Sequence, residues 1–170
     1  IILLLIQKTI SIMEVYQMIK DIVKISDENG EEILSTKCKN INFKDCMKVA
    51  QDLIDTANYH NQLYKDGKSD KHCCGLAANQ IGQFEKVIIA ARSDNKWMIM
   101  INPVLMNKHY DPIESTEGCM SMEGEKTVMR YQAIQVMYQD NHGRYKKAWF
   151  NGFTAIEIQH EMDHLAGILI

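Results

Sequence analysis

The sequence predicts an α+β fold, with mostly antiparallel sheets packed around a C-terminal helix that carries an H-E-x-x-H pentad. Three observations predict it. Short apolar runs in the middle of the chain read as buried strands. Two rough alternators separated by Asn-His-Gly read as a hairpin. Two further stretches, one before these strands and one closing the chain, space their apolar residues for helices.

Taken in order, residues 1–20 read as an extension packed on a single domain of residues 21–170. The opening IILLLI is apolar, but it lacks a charged start and is too short for a transmembrane helix or a signal-peptide core. The chain does not begin with methionine, and Met13 and Met18 are both candidate starts in the gene. Asp21 to Ile25 reads as a short strand, and SDENGEE after it as a turn-rich loop. From Phe43 to Tyr64, the residues Phe43, Met47, Ala50, Ile54, Ala57 and Leu63 approximate helical spacing behind Asn42 as N-cap. Lys65 to His72 is a polar loop. KVIIAAR and WMIMIN are the buried strands, and TVMRYQAIQVMYQD and RYKKAWF are the arms of the hairpin. TAIEIQHEMDHLAG is the last helix, with Gly167 as its stop. Pro103 and Pro112 are the only prolines, and neither a repeat nor a low-complexity linker divides the chain.

With 19 basic against 22 acidic residues, the net charge of −3 gives no reason to expect nucleic acid or an anionic membrane as partner. Five cysteines, an odd number, imply reduced thiols rather than a disulfide framework. Cys73 and Cys74 are adjacent, which is poor geometry for a disulfide between them.

His160, Glu161 and His164 form the pentad. Residues four apart share a helix face, so both histidines can point at one ion. Glu161 then sits where a carboxylate can work on water held by that ion. A hydrolytic metal normally takes three protein ligands and keeps one position open. The longer form of the motif, H-E-x-x-H-x-x-G-x-x-H, is followed as far as Gly167, but Ile170 stands where its last histidine would be. The expected third ligand therefore lies upstream. The candidates are Cys38, Cys46, Cys73, Cys74, Cys119 and the remaining histidines, His60, His109 and His142 among them. Cys119 stands out because it lies among small and polar residues in STEGCMSMEG, where a turn can present a thiolate.

EGCMS, followed some forty residues on by QHEMDH and preceded by CGLAANQ, resembles the peptide deformylases. The likeness covers roughly Asp21 to Ile170 and includes NPVLMN and the surroundings of Arg130. It implies that Cys119, His160 and His164 bind one divalent metal ion, iron(II) by preference, with zinc, nickel or cobalt also suited to a Cys/His/His set. It implies Glu161 as acid and base, with Gln80 and the main-chain N–H of Met120 stabilising the oxyanion. Gly75, Cys74, Glu117 and Gly118 would line the substrate cleft, and Arg130 would pair with Glu117. The implied reaction is hydrolysis of the N-formyl group of N-formylmethionyl peptides of nascent proteins, releasing formate. Water with its pKa lowered by the cation attacks the formyl carbon. The expected partners are that peptide and ribosome-associated nascent chains, and the expected setting is a monomer in the cytoplasm, bacterial by preference with an organelle as the alternative.

Some residues depart from the resemblance. Cys73 replaces the first glycine of the glycine-rich segment, and a side chain would disturb that position if it needs positive φ. Cys74 stands where an aliphatic residue is usual, and Ser115 and Glu157 stand near positions that are often apolar. The alternative reading is a deformylase-like protein that binds metal or formyl-peptide with weak or no turnover. A further alternative is an H-E-x-x-H metallopeptidase, disfavoured by the cysteine. Many members of the family continue into a C-terminal helix, and the N-terminal extension is expected to cover the surface that such a helix covers.

Overall fold

The computed structural model describes residues 19–170. The reading of residues 1–18 as a packed extension lies outside the described residues. The elements are helix α1 (Gly30–Ser35), helix α2 (Phe43–Lys65), strand β1 (Gly75–Ala77), a 3-10 turn (Ala78–Ile81), strands β2 (Val87–Ala91), β3 (Trp97–Gly118), β4 (Glu125–Gln139) and β5 (Tyr145–Asn151), and helix α3 (Gly152–Leu165).

The five strands form one antiparallel meander in the order β1-β2-β3-β4-β5. Strand β2, VIIAA, is apolar throughout because both its faces are covered. Val87 and Ile89 join a core with Cys46, Val49, Ala50, Leu53 and Ala57 of α2. Ile88 and Ala90 join a second core with Ala155, Ile158 and Leu165 of α3. The sheet is thus the middle layer between two helices, and its period of two assigns successive residues to different cores.

Several expectations need correcting. Asp21 to Ile25 does not form a strand. Its N–H groups go to two separate segments, Val23 to the Gln80 carbonyl (2.8 Å) and Ile25 to the Ser121 carbonyl (3.0 Å), so no ladder forms. SDENGEE is not all loop, since α1 begins at Gly30 after Asn29 in the left-handed region. The buried stripe of α2 runs through Cys46, Val49, Leu53 and Ala57, while Phe43, Met47 and Ile54 flank it. Asn42 is the N-cap residue, but its side chain makes no cap bond. Strand β3 is much longer than WMIMIN. It absorbs both prolines and has register shifts between Ile101 and Val104, Leu105 and Asn107, and His109 and Pro112.

The entry and exit of α3 set the site. Strand β5 stops pairing with β4 at Asn151↔Ala133, and the chain turns through Gly152 (φ +57°) into the helix. The Gln159 side chain then takes over both backbone groups of Tyr131, accepting from its N–H (3.0 Å) and donating to its carbonyl (2.9 Å). At the far end, Gly167 N–H donates to His164 and Ile168 N–H to Asp163, both at 2.9 Å. This is a Schellman stop, with Gly167 at φ +74°. A Cβ on Gly167 would lie 2.1 Å from the Ser35 carbonyl, so the glycine also lets α1 touch the end of α3.

Candidate metal centre and cleft

Cys119 follows the last residue of β3, and His160 and His164 lie one turn apart on α3. Their donor atoms all fall within 4.8 Å of one another, and all three residues are buried. Cys119 Sγ is 3.2 Å from His164 Nε2. Bond lengths of 2.3 Å to sulfur and about 2.0 Å to nitrogen put two tetrahedral donors roughly 3.5 Å apart, so the three groups fit one divalent cation. Among the described residues no other such group of metal-binding side chains occurs. Cys38, Cys46, Cys73 and Cys74 lie outside it, as do His60, His109 and His142.

The trio pairs a thiolate with a protonated imidazole, so a cation entering it would displace the proton of His160. Burial pushes the Cys119 thiol up, but hydrogen bonds with His160 and His164 outweigh burial and pull it down to about 5. Burial opposes a charge on His160, yet the Cys119 sulfur and the Glu117 carboxylate raise it to about 11. His160 Nδ1–H donates to Glu117 Oε2 at 2.9 Å, leaving Nε2 for a metal. Arg130 grips the same carboxylate with two N–H groups, Nε to Oε1 at 2.8 Å and Nη2 to Oε2 at 2.9 Å. It also reaches Asp163 Oδ2 at 2.5 Å. Burial raises Glu117, but His160 and Arg130 together hold it at about 2.

Glu161 is fully enclosed. Burial and the neighbouring Glu157 carboxyl hold it well above the carboxylate range, against the charge of His160. The two glutamates lie four apart on α3, one turn of the helix. Both lean over Gly75. A Cβ there would lie 2.5 Å from Glu157 Oε1 and 2.6 Å from Glu161 Oε1, so any side chain at 75 must push both carboxyl groups aside. The second oxygen of Glu161, Oε2, is buried without a hydrogen-bond partner. Gln80, on the 3-10 turn, accepts from Ala77 N–H at 2.8 Å through Oε1. Its Nε2 is thereby aimed at Cys119 Sγ (3.6 Å) and Ser121 Oγ (3.2 Å).

These groups floor a cleft of about 510 Å³ lined also by Cys74, Gly118, Met120, Phe153, Ile156 and Glu157. Gly75, Cys74, Glu117 and Gly118 all line it, although both Glu117 oxygens are already engaged by Arg130 and His160. Ser115 lies on its wall. Cys73 is not in the left-handed region. Its side chain is buried in the α2 core and donates to the Gly75 carbonyl at 3.1 Å, so this position does not demand glycine. Sequence reasoning missed Lys24 and Lys71, which donate to backbone carbonyls of the loop after Cys119. A lysine reaching a remote carbonyl leaves no pattern in a sequence. It also missed Asn79, whose amide ties the Leu34 carbonyl to the His164 carbonyl.

A profile of the polypeptide deformylase family matches residues 19–170. A peptide deformylase of Clostridium beijerinckii is 44% identical over 127 residues, 75% of this chain and 85% of that protein. One from Dictyoglomus thermophilum is 35% identical over 156 residues, 90% of this chain and 91% of that protein. Among solved structures, the actinonin-bound class I type b peptide deformylase of Acinetobacter baumannii superposes with a TM-score of 0.73. It is 26% identical and covers 89% of this chain and 94% of its own.

Proposed function

The chain belongs to the polypeptide deformylase family, and on that premise we propose that its cleft hydrolyses the N-formyl group of N-formylmethionyl peptides of nascent proteins, releasing formate. The observation that carries this reading is the convergence of Cys119, His160 and His164 within 4.8 Å, beside a buried carboxyl oxygen that has no partner.

In this reading Cys119, His160 and His164 hold one divalent cation, with iron(II) first and zinc, nickel or cobalt chemically suited. A bound cation would supply Lewis-acid polarisation and a lowered pKa for water. The protein supplies the rest. Glu161 Oε2 accepts the proton of the attacking water and passes it to the leaving amine. The Gln80 amide, held by the Ala77 N–H, and the Met120 N–H donate to the oxygen that becomes negative. Glu117, anchored by Arg130, orients His160. Phe153 and Ile156 give the cleft an apolar wall for the methionine side chain.

Cytoplasmic action on ribosome-associated chains, as a monomer, is the setting we assign. Among the described residues no helix is long and apolar enough to cross a membrane. The weak-turnover alternative drew on Cys73 and on the altered pocket; Cys73 packs as a core residue, whereas Cys74, Ser115 and Glu157 line the cleft. The metallopeptidase alternative has no support in the Cys119 thiol beside His164.

The test is formate release from formyl-Met-Ala-Ser by protein prepared anaerobically with iron(II), with Glu161→Gln as control. Release by the parent and loss of turnover in a Glu161→Gln protein that keeps its metal is the expected result. A folded, metal-loaded parent that releases no formate overturns the reading.

A further inference from the structure

Strand β3 ends at Gly118 and β4 begins at Glu125, so the loop carrying Cys119 and Met120 has no strand partner. Its backbone is held from outside instead. Lys71, in the loop before β1, donates to the carbonyl oxygens of Cys119 (2.8 Å) and Met122. Lys24, in the extended segment before α1, donates to the Met120 carbonyl. Ile25 N–H takes the Ser121 carbonyl at 3.0 Å. Every carbonyl from Cys119 to Met122 therefore has a donor from another part of the chain, and two lysines supply three of the four.

A trans peptide unit is planar, and its C=O and N–H point in opposite directions. No cis peptide bond occurs among the described residues. The Cys119 carbonyl shares one plane with the Met120 N–H. The Met120 carbonyl shares the next plane with the Ser121 N–H, which donates to Cys119 Sγ at 3.4 Å. A cation on each carbonyl therefore fixes which way the opposite N–H faces, and polarises that N–H into a stronger donor.

We propose that Lys71 and Lys24 are positioning residues that lock these two successive peptide planes. Lys71 aims the Met120 N–H at the oxyanion of the substrate, and Lys24 aims the Ser121 N–H at the Cys119 sulfur. The Lys71 half rests on the formyl-peptide reading given above, and the Lys24 half does not. If the Cys119–Met120 plane turned over, a carbonyl oxygen would face the developing negative charge in place of a donor. The loss would fall on the transition state and not on substrate binding.

The experiment uses the full chain loaded with iron(II) for kinetics and with cobalt(II) for absorption spectra, in the parent, Lys71→Met, Lys71→Arg and Lys24→Met. Lys71→Met is expected to lower kcat by about 10- to 100-fold with KM within about threefold, the signature of a lost transition-state interaction. Lys71→Arg, which keeps a cationic donor, is expected to recover most of that loss. Lys24→Met is expected to move the thiolate-to-cobalt charge-transfer band to longer wavelength, because the sulfur loses a hydrogen bond. A folded Lys71→Met protein with parental kcat overturns the Lys71 half, and a Lys24→Met protein with the parental band overturns the Lys24 half. A parent that releases no formate removes the deformylase reading, while the cobalt band still decides the Lys24 half. If either methionine variant fails to fold, Lys71→Gln and Lys24→Gln, too short to span the same gap, are measured with the same two criteria.

Discussion

Replacing Arg130 by Met is a quantitative test of how the site is held. The Arg130 and Glu117 side chains are each 6% exposed and meet through two hydrogen bonds. Removing one partner of a buried ion pair costs about 3–5 kcal/mol, because the remaining charge has no compensation. The Asp163 contact is 30% exposed and adds less than about 1 kcal/mol. In a chain of this size 1 kcal/mol moves the melting temperature by about 2–4 °C, so a fall of roughly 6–20 °C is expected. The assay is thermal unfolding followed by circular dichroism at pH 7. A double variant, Arg130→Met with Glu117→Gln, removes the carboxylate that Arg130 leaves behind while keeping an acceptor for His160, and should melt higher than Arg130→Met alone. Acidity adds a second check. Glu117 titrates at about 2 when folded, below its ordinary 4.5, so its contribution is complete above 4.5 and is lost as the pH falls toward 2. The gap between parent and Arg130→Met should narrow across that window. An Arg130→Met protein that melts within about 2 °C of the parent at pH 7 would refute the reasoning, as would a double variant less stable than the single one.

Gly75→Ala places a methyl group 2.5–2.6 Å from two carboxyl oxygens and must displace Glu161, so kcat should fall at least about tenfold while the far-ultraviolet spectrum is retained. Gly167→Ala meets the Ser35 carbonyl at 2.1 Å and forces an alanine to φ +74°, which should lower the urea midpoint by an amount worth about 1–3 kcal/mol with the m-value unchanged. Dialysis against a chelator should lower the melting temperature, and zinc or iron(II) should restore it in proportion to the logarithm of free metal. In Cys119→Ser that metal-dependent increment should shrink strongly, and an increment equal to the parent's would remove Cys119 from the ligand set.

The parts of this protein that could be read in advance are those written as periodicity or spacing. Helix α3 and its His160–His164 pair follow from a four-residue repeat, and β2 from an unbroken apolar run. Strand β3 past Ile101 could not be read that way. Its bulges break the alternation, two of its residues have positive φ (Asn102 and Tyr110), and both faces of its outer part are exposed. Helix α1 has six residues, too few to show a helical period. Asp21 to Ile25 has the composition of a strand, but its bonds run to two partners that only the tertiary fold brings near. The same limit applies to the site. Cys119 could be singled out by its small, polar neighbours, whereas Lys24 and Lys71 act through main-chain carbonyls that every residue possesses.

The crowding above Gly75 has a consequence for how this cleft can change. Positions 75, 157 and 161 compete for one volume, so their substitutions will not combine freely. Shortening 157 removes the nearer oxygen but leaves a Cβ at 75 within 2.6 Å of Glu161 Oε1 and 2.9 Å of its Cγ, so a side chain at 75 also requires Glu161 to move. Shortening Glu157 first gives Glu161 space to shift into, whereas enlarging Gly75 first pushes Glu161 aside with that space still filled. Directed evolution aimed at new N-terminal side chains should therefore find its accessible paths beginning at Glu157, with any change at Gly75 coming afterwards and coupled to a shift of Glu161.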